Sequence, residues 1–154
     1  VYTRNYAALV ERKPEGIDEA RTLLEGFLAA MQTELGVESE RCVLGGFSQG
    51  AMLATDTVLR SERRYGGLLI LSGTLLTSTE WQALLPARRG LPVFQSHGRE
   101  DPILPFELAE RLQKLMTDAG LDVTWSPFSG GHGIPRPVLD RAGTVLSKVF
   151  RSAT

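Results

Sequence analysis

A shortage of cysteine and histidine limits the chemistry open to this chain. Its 154 residues include one cysteine, Cys42, and two histidines, His97 and His132. A single cysteine excludes an internal disulfide framework and a cluster of thiolate zinc ligands, and its place in an apolar stretch predicts a buried, unreactive thiol. Two histidines without a second cysteine are a poor ligand set for a catalytic metal. The sequence therefore predicts an activity that needs neither a metal nor another cofactor.

Net charge and long hydrophobic runs are also lacking. The formal net charge is -1, so no basic excess neutralises a phosphate backbone, and no nucleic-acid partner is predicted. No stretch approaches the roughly 18 apolar residues of a membrane span, and the first residues lack the basic and then apolar pattern of a signal peptide. With 42% apolar and 23% charged residues, the composition is that of an ordinary soluble protein. We expect a cytoplasmic protein without a membrane span.

A serine between two glycines is the strongest local signal in the chain. Residues 45–51 read Gly-Gly-Phe-Ser-Gln-Gly-Ala and contain the pattern G-x-S-x-G, with Ser48 at its centre. In a nucleophile elbow this pattern forms a strained turn between a strand and a helix, so that the serine hydroxyl stands clear of the sheet. The apolar residues before the turn predict the strand, and the run from Ala51 predicts the helix. A side chain at Gly46 or Gly50 is expected to collide where strand and helix approach closely.

Strands and helices are predicted to alternate along most of the chain. Residues 1–13 show no clear period and predict an irregular N-terminal arm, whereas residues 14–154 are interpreted as one domain. Apolar residues, Phe27 among them, recur at three- and four-residue steps from Ile17 to Leu35, which predicts a packing helix capped by Gly36. The further predicted elements are strands at 42–46, 68–71, 93–96 and 123–128, a helical turn at 80–85, and helices from 51, 105 and 135–137.

The order of these elements indicates an α/β fold. The run at 68–71 is continuously apolar, as in strands buried on both faces of a parallel sheet. Alternating strands and helices predict a mainly parallel sheet with helices on both faces, and Pro127 places the last strand at an edge. Functional groups in such sheets collect at the carboxyl ends of the strands. Ser48, Asp101 and His132 follow the first, third and fourth predicted strands.

These three residues have the chemistry of a serine nucleophile with its partners. A serine hydroxyl needs a general base, and the base needs an acid that orients it. In the chain order serine, acid, histidine, His132 fits the base, because His97 precedes the candidate acid. Asp101 follows a predicted strand by a short loop, although it could instead cap the next helix. The alternatives for the acid are Asp118, Asp122 and Asp140.

These segments together resemble the phospholipase/carboxylesterase family of alpha/beta hydrolases, which includes bacterial carboxylesterases and acyl-protein thioesterases. The resemblance spans residues 14–151 in the family's order. It implies an alpha/beta-hydrolase fold, with Ser48 as nucleophile, Asp101 as acid and His132 as base. The similar segments are the serine turn at 45–51, the strand end at 72–75, the acid loop at 97–102 with Pro105, and the histidine turn at 131–132.

One part of the family's pattern is missing from this sequence. The family has several strands before the helix predicted at 14–35, and a loop after the third of them supplies one oxyanion-hole amide. Nothing in the sequence matches that loop, so the chain resembles a fold without its N-terminal third. The other expected donor, the backbone N–H of Gln49, is present. Losing one oxyanion donor costs about 100- to 1000-fold in rate.

The missing strands also predict an exposed edge of the sheet. The strand at 42–46 would have no neighbour on one side, and unpaired strand edges associate readily. We therefore expect a homodimer, or strand exchange between two copies, through this edge.

The resemblance and the residues together predict a serine hydrolase that cleaves small-molecule carboxylic esters or thioesters through an acyl-enzyme. Four apolar loop residues lie near the expected cleft and either line an acyl pocket or pack the loops: Leu75, Leu76, Ile103 and Leu104. Two alternatives remain open. One is a poorly active interaction module or fragment derived from a hydrolase, without a complete oxyanion hole. The other is a peptidase of the same fold.

Overall fold

The computed structural model describes residues 6–152, which contain one sheet of four parallel strands. The strands lie side by side in chain order, and each neighbouring pair is parallel. The mainly parallel sheet is therefore confirmed, and so is the edge position of the last strand. The strands are β1 Val43–Phe47, β2 Gly67–Leu71, β3 Pro92–Gly98 and β4 Asp122–Phe128.

Helices connect and cover these strands. Short 3-10 turns at Ser39–Arg41 and Leu85–Arg88 complete the connections. In the described part of the chain no helix is long and apolar enough to cross a bilayer. The helices are α1 Tyr6–Glu11, α2 Ile17–Leu35, α3 Gln49–Arg60, α4 Ser78–Leu84, α5 Phe106–Asp118 and α6 Arg136–Ser152.

The two faces of the sheet have separate apolar cores. Side chains alternate between the faces along a strand, so Leu68 and Ile70 of β2 pack with residues of α1 to α5. Leu71 of the same strand packs on the other face with Val138 and Ala142 of α6. Helices therefore cover both faces, as the alternation of elements predicted, and the strand ends that carry the candidate site are held between two packed layers.

The N-terminal arm differs from its prediction. Residues 6–11 form α1, and Val10 is only 1% exposed within the larger core. The predicted irregular arm at 1–13 is therefore wrong over this stretch, while residues 1–5 lie outside the described part. A helix of six residues is too short to show a period, and its stability comes from packing rather than from intrinsic propensity.

Helix α2 has the predicted C-terminal limit but not the predicted packing. It spans Ile17–Leu35 and ends at Gly36, whose φ of 62° is left-handed. Its packing face was predicted to include Phe27 and Leu35, but each of these side chains is 64% exposed. The helix packs through Leu24 and neighbouring residues on one side, and no described element covers the rest.

The outer edge of β1 is unpaired within the described residues. Only β2 pairs with β1, and Phe47 at the end of β1 is 39% exposed. Cys42, directly before the strand, is partly exposed rather than buried, which corrects the expectation for its thiol. An apolar sequence context predicts burial only where a neighbouring element covers the strand, and the first strand of this sheet has such a neighbour on one side only.

Candidate active site

Ser48 occupies a strained turn between β1 and α3. Its φ of 55° and ψ of -118° lie outside the regions open to ordinary residues, a conformation that persists only where the surroundings hold it. The Ser48 N–H donates to the Leu71 carbonyl at 2.8 Å, and the Ser48 carbonyl accepts from Ala51 and Met52 in the first turn of α3. The predicted strand, strained turn and helix are therefore present, although the helix begins at Gln49 rather than Ala51.

The two glycines around Ser48 have different roles. A Cβ atom at Gly46 would overlap the backbone of Gly50 and Ala51, because β1 and α3 approach most closely there. A Cβ atom at Gly50 would meet no atom within 4 Å. The expected collision is therefore confirmed at Gly46 and wrong at Gly50, whose side of the helix faces open space.

Three of the predicted side chains form one chain of hydrogen bonds. The Oγ of Ser48 lies 2.8 Å from Nε2 of His132, and Nδ1 of His132 lies 2.7 Å from Oδ2 of Asp101. A carboxylate oxygen only accepts hydrogen bonds, so Nδ1 of His132 carries a hydrogen and donates to it. Nε2 of the neutral ring is then free to accept the hydroxyl hydrogen of Ser48. The arrangement is able to move a proton from the serine to the imidazole.

The side chain of Asp101 is completely buried, and every hydrogen bond it accepts helps to hold it ionised. Its side chain is 0% exposed, and Oδ1 accepts the N–H groups of Ile103 at 2.8 Å and Leu104 at 2.9 Å. Burial alone would raise the pKa of Asp101, but the N–H of Leu104, the ring of His132 and the N–H of Ile103 together lower it below its ordinary value. Asp101 therefore orders its own loop and does not cap α5, whose N-cap is Pro105.

The other candidate acids lie away from this cluster of side chains. Asp118 pairs with Lys114 on the exposed surface of α5, and Asp140 pairs with Arg136 on α6. Asp122 begins β4, at the opposite end of that strand from the histidine turn. Sequence reasoning left these three open because it could not place one loop against another.

The acid loop and the histidine turn are joined by hydrogen bonds that the sequence did not reveal. The N–H of Gly130 donates to the Glu100 carboxylate at 2.6 Å, and the N–H of Glu100 donates to the Gly130 carbonyl at 3.1 Å. A Cβ atom at Gly98 would overlap the carbonyls at positions 130 and 131. Only glycine at position 98 allows the two loops to approach closely enough for Asp101 to reach His132.

Two further contacts hold His132 in place. The ring of Phe47 lies 4.9 Å from the imidazole, measured between centroids. The hydroxyl of Ser72, at the end of β2, donates to the carbonyl of Gly133 at 3.2 Å. Phe47 is the residue before Ser48, so the same turn presents the serine and supports its partner. No pattern in the sequence pointed to either contact.

The start of α3 offers donors for a developing oxyanion. The N–H groups of Gln49 and Gly50 lie in the first turn of the helix, where no intrahelical carbonyl accepts them. The partial positive charge at the N-terminus of a helix adds to their attraction for an anion. Gln49 therefore lies where the sequence predicted one oxyanion donor.

Two apolar cavities lie beside the serine turn. The first, of about 310 Å³, is lined by all four predicted pocket residues, and Met52, Leu108 and the segment before α2 line it as well. The second, of about 350 Å³, is lined by Gln49 and Leu53 and shares Met52 and Leu76 with the first. Ser48 itself lines neither of them. Met52 is one turn of helix after Ser48, a spacing that could have identified it from the sequence.

Metal coordination has no candidate in the described part of the chain. Among residues 6–152, no three histidine, cysteine, aspartate or glutamate side chains are grouped so that they could hold a metal ion. The two histidines lie on either side of Asp101, and one of them contacts Ser48.

Comparison with known proteins identifies one family. Residues 5–150 match the model of the phospholipase/carboxylesterase family. The acyl-protein thioesterase 1 of Gibberella zeae is 36% identical over 125 residues, which are 79% of this chain and 53% of that protein. The acyl-protein thioesterase 1 of Aspergillus fumigatus is 32% identical over 124 residues, which are 77% and 52% of the two chains. The chain thus spans about half the length of the curated relatives that it matches.

Solved structures agree with this result. The crystal structure of esterase PE8 superposes with a TM-score of 0.79 at 30% identity, covering 87% of this chain and 62% of that one. The structure of SOBER1 from Arabidopsis thaliana gives a TM-score of 0.78 at 23% identity, covering 89% and 66%. At that identity the second likeness shows the fold alone. The structure therefore contains part of an alpha/beta-hydrolase fold.

Proposed function

Because the chain belongs to the phospholipase/carboxylesterase family, we propose that it is a serine hydrolase that cleaves carboxylic esters or thioesters through an acyl-enzyme. The observation that carries this proposal is the chain of hydrogen bonds from Ser48 through His132 to Asp101. A serine in a strained turn, a histidine at hydrogen-bond distance and a buried carboxylate behind it are the parts of an activated nucleophile.

In the proposed reaction, Oγ of Ser48 attacks the carbonyl carbon while Nε2 of His132 takes its proton. The charged imidazole then gives that proton to the departing alcohol or thiol, which leaves an acyl ester on the serine. A water molecule then attacks the acyl ester while His132 takes its proton. The charged imidazole returns a proton to Oγ of Ser48, and the carboxylic acid product is released. Asp101 keeps Nδ1 of His132 protonated and stabilises its charged form throughout. Its lowered pKa keeps the carboxylate ionised over the neutral range.

The oxyanion formed in each step is assigned to the N–H of Gln49, at the start of α3. The sequence matches only this one of the two expected donors, and one donor is worth about 100- to 1000-fold in rate. This observation favours, as a second candidate, a hydrolase-derived interaction module with a weakly active serine. The two candidates differ in turnover but not in the geometry of Ser48 and His132.

The acyl chain is assigned to the first apolar cavity. Leu75 and Leu76, which are 1% and 7% exposed, line it. Ile103 and Leu104 line it as well and belong to the acid loop, so one loop carries both the acid and part of the cavity wall. A cavity of about 310 Å³ lies at the lower end of the range for small-molecule sites. The similar acyl-protein thioesterases make an acyl thioester a substrate to test.

The rate of hydrolysis of p-nitrophenyl esters is expected to pass through a maximum as the acyl chain becomes longer. Each added methylene that enters the cavity contributes about 0.8 kcal/mol, until the cavity is full. An acyl thioester of the best length should also be cleaved, and a peptide amide of the same acyl group should not. Rates that do not vary with acyl length would contradict the cavity assignment, and cleavage of the amide would favour a peptidase.

We also propose self-association through the unpaired edge of β1. The exposed Phe47 and the unpaired strand edge support it, since both are typical of surfaces that pair with another chain. Size-exclusion chromatography is expected to show a concentration-dependent dimer. Proline in place of Val43, whose N–H points away from β2, removes a donor from this edge and should weaken this association, and a monomer at high concentration would contradict the proposal.

A further inference from the structure

We propose that His97 is a positioning residue for Asp101, a role that rests on the hydrolysis proposed at Ser48. His97 lies on β3, four residues before Asp101, and is 0% exposed. The proton transfer described above uses only His132. No step of the proposed reaction therefore uses the completely buried imidazole of His97. Its hydrogen bonds indicate a different role beside the buried acid.

The hydrogen on the His97 ring has a definite place. Its Nε2 lies 2.9 Å from the carbonyl oxygen of Leu104 and 3.3 Å from Oδ2 of Asp101. Both oxygens are acceptors, so Nε2 carries a hydrogen that points between them, closer to the carbonyl. Nδ1 is buried and has no hydrogen-bond partner, so a second hydrogen there would be an unsatisfied donor. The ring is therefore neutral, with its hydrogen on Nε2.

This single N–H closes a ring of contacts around the acid loop. The N–H of Leu104 donates to Oδ1 of Asp101, and the carbonyl of Leu104 accepts from His97. Both backbone groups of Leu104 are thus engaged, one with the acid and one with the histidine. Because β3 is paired on both sides, by β2 and β4, His97 fixes the acid loop to an inner strand of the sheet.

Asp101 lies between the two histidines. Oδ2 receives Nδ1 of His132 at 2.7 Å from one side and faces Nε2 of His97 from the other. On the α5 side, His97 meets the apolar ring of Phe106, 6.1 Å away between centroids. The guanidinium of Arg99 lies over that same ring, and on β4 the residue in register with His97 is Pro127. Asp101 is thus the titratable group that the His97 N–H faces directly.

Replacing His97 by leucine tests this role. The variant removes the N–H and fills the buried position with an apolar side chain. The kcat for a short ester is expected to fall about 10- to 100-fold, because Asp101 is no longer held in place. A displaced Asp101 carboxylate also stabilises the charged imidazole of His132 less. The acidic limb of the kcat/KM profile should therefore move to lower pH. An acidic limb that does not move would overturn the proposal.

Two matched variants separate positioning from packing. Glutamine at position 97 places an N–H near the position of Nε2 and should restore most of the activity and the wild-type pH profile. Gln95→Leu removes another completely buried side chain from the same face of β3, where its Nε2 donates to the carbonyl of Ala109 at 2.9 Å. It should lower stability and leave the pH profile unchanged. A Gln95→Leu profile that shifts like that of His97→Leu would show a general packing effect.

Nitrogen NMR of the imidazoles tests the same inference without activity. The chain has two histidines, so His97→Leu leaves one and assigns both rings. In the wild type, His97 is expected to keep its hydrogen on Nε2 while His132 titrates, and in His97→Leu the neutral His132 ring should lose its preference for Nδ1–H. A wild-type His97 with its hydrogen on Nδ1 would overturn the inference. Expected spectra from a protein that cleaves no ester would contradict the proposed hydrolysis at Ser48 and leave standing only the contact of His97 with Asp101.

Discussion

Replacing Ser48 by alanine is expected to abolish ester hydrolysis, with a fall in kcat of about 10⁴- to 10⁶-fold. Oγ of Ser48 is the only protein atom in the proposed mechanism that forms a covalent bond to the substrate carbon, and neither His132 nor Asp101 can replace it. The fold should persist, because Ser48 makes its structural contacts through backbone groups at 2.8 to 3.2 Å. Initial rates with the best p-nitrophenyl ester measure the loss, and circular dichroism checks the fold.

The matched control for this variant is Ser147→Ala. Ser147 lies on the exposed side of α6, where its hydroxyl donates to the carbonyl of Gly143 at 2.9 Å. The Ser147→Ala variant should retain wild-type kcat and KM. Ester hydrolysis that survives in Ser48→Ala would mean that another group carries out the reaction, and the proposed nucleophile would be wrong.

Replacing Asp56 by alanine is expected to lower the free energy of unfolding by about 3–5 kcal/mol, the largest effect on stability that the structure predicts. Asp56 is 2% exposed in α3, and its Oδ1 accepts both Nε of Arg60 and Nε1 of Trp81 at 2.8 Å. Its Oδ2 accepts Nη1 of Arg21 at 2.5 Å. One carboxylate therefore joins α2, α3 and α4, and alanine would leave a buried indole N–H and two guanidinium groups without this acceptor.

Thermal unfolding measures this effect, with a decrease in Tm of about 6–20 °C for a chain of this size. Asp140→Ala is the matched control, because Arg136 and Asp140 have the same four-residue spacing on α6 but are 84% and 64% exposed. An exposed pair contributes about 0–1 kcal/mol, so the control should unfold close to the wild type. Similar Tm values for Asp56→Ala and Asp140→Ala would show that the buried carboxylate does not hold the helices together.

The sequence was sufficient to predict the sheet and the ends of its strands. Continuous apolar runs and alternating elements predicted a parallel sheet, and Ser48, Asp101 and His132 each follow a strand of it. Parallel strands place their carboxyl ends at one edge, so these side chains were expected near one another. Their catalytic roles remain predictions, which the experiments on Ser48 and His97 address.

What the sequence could not predict depends on contacts between loops. The pairing of Glu100 with Gly130, the ring of Phe47 on His132 and the His97 contact to Leu104 depend on how distant segments meet in three dimensions. The exposure of Phe27 on α2 was missed for a related reason. Periodicity identifies an apolar face, but it does not show whether another element covers that face.

Covalent labelling with a fluorophosphonate probe tests the central claim most directly, because the reaction requires an activated serine and no particular substrate. The intact mass of the wild-type protein is expected to increase by one probe adduct, located at Ser48 by peptide mapping. His132→Ala should label far more slowly, and Ser48→Ala should not label. A wild-type protein that does not react, or labels equally after either substitution, would contradict the assignment of Ser48 as a nucleophile activated by His132.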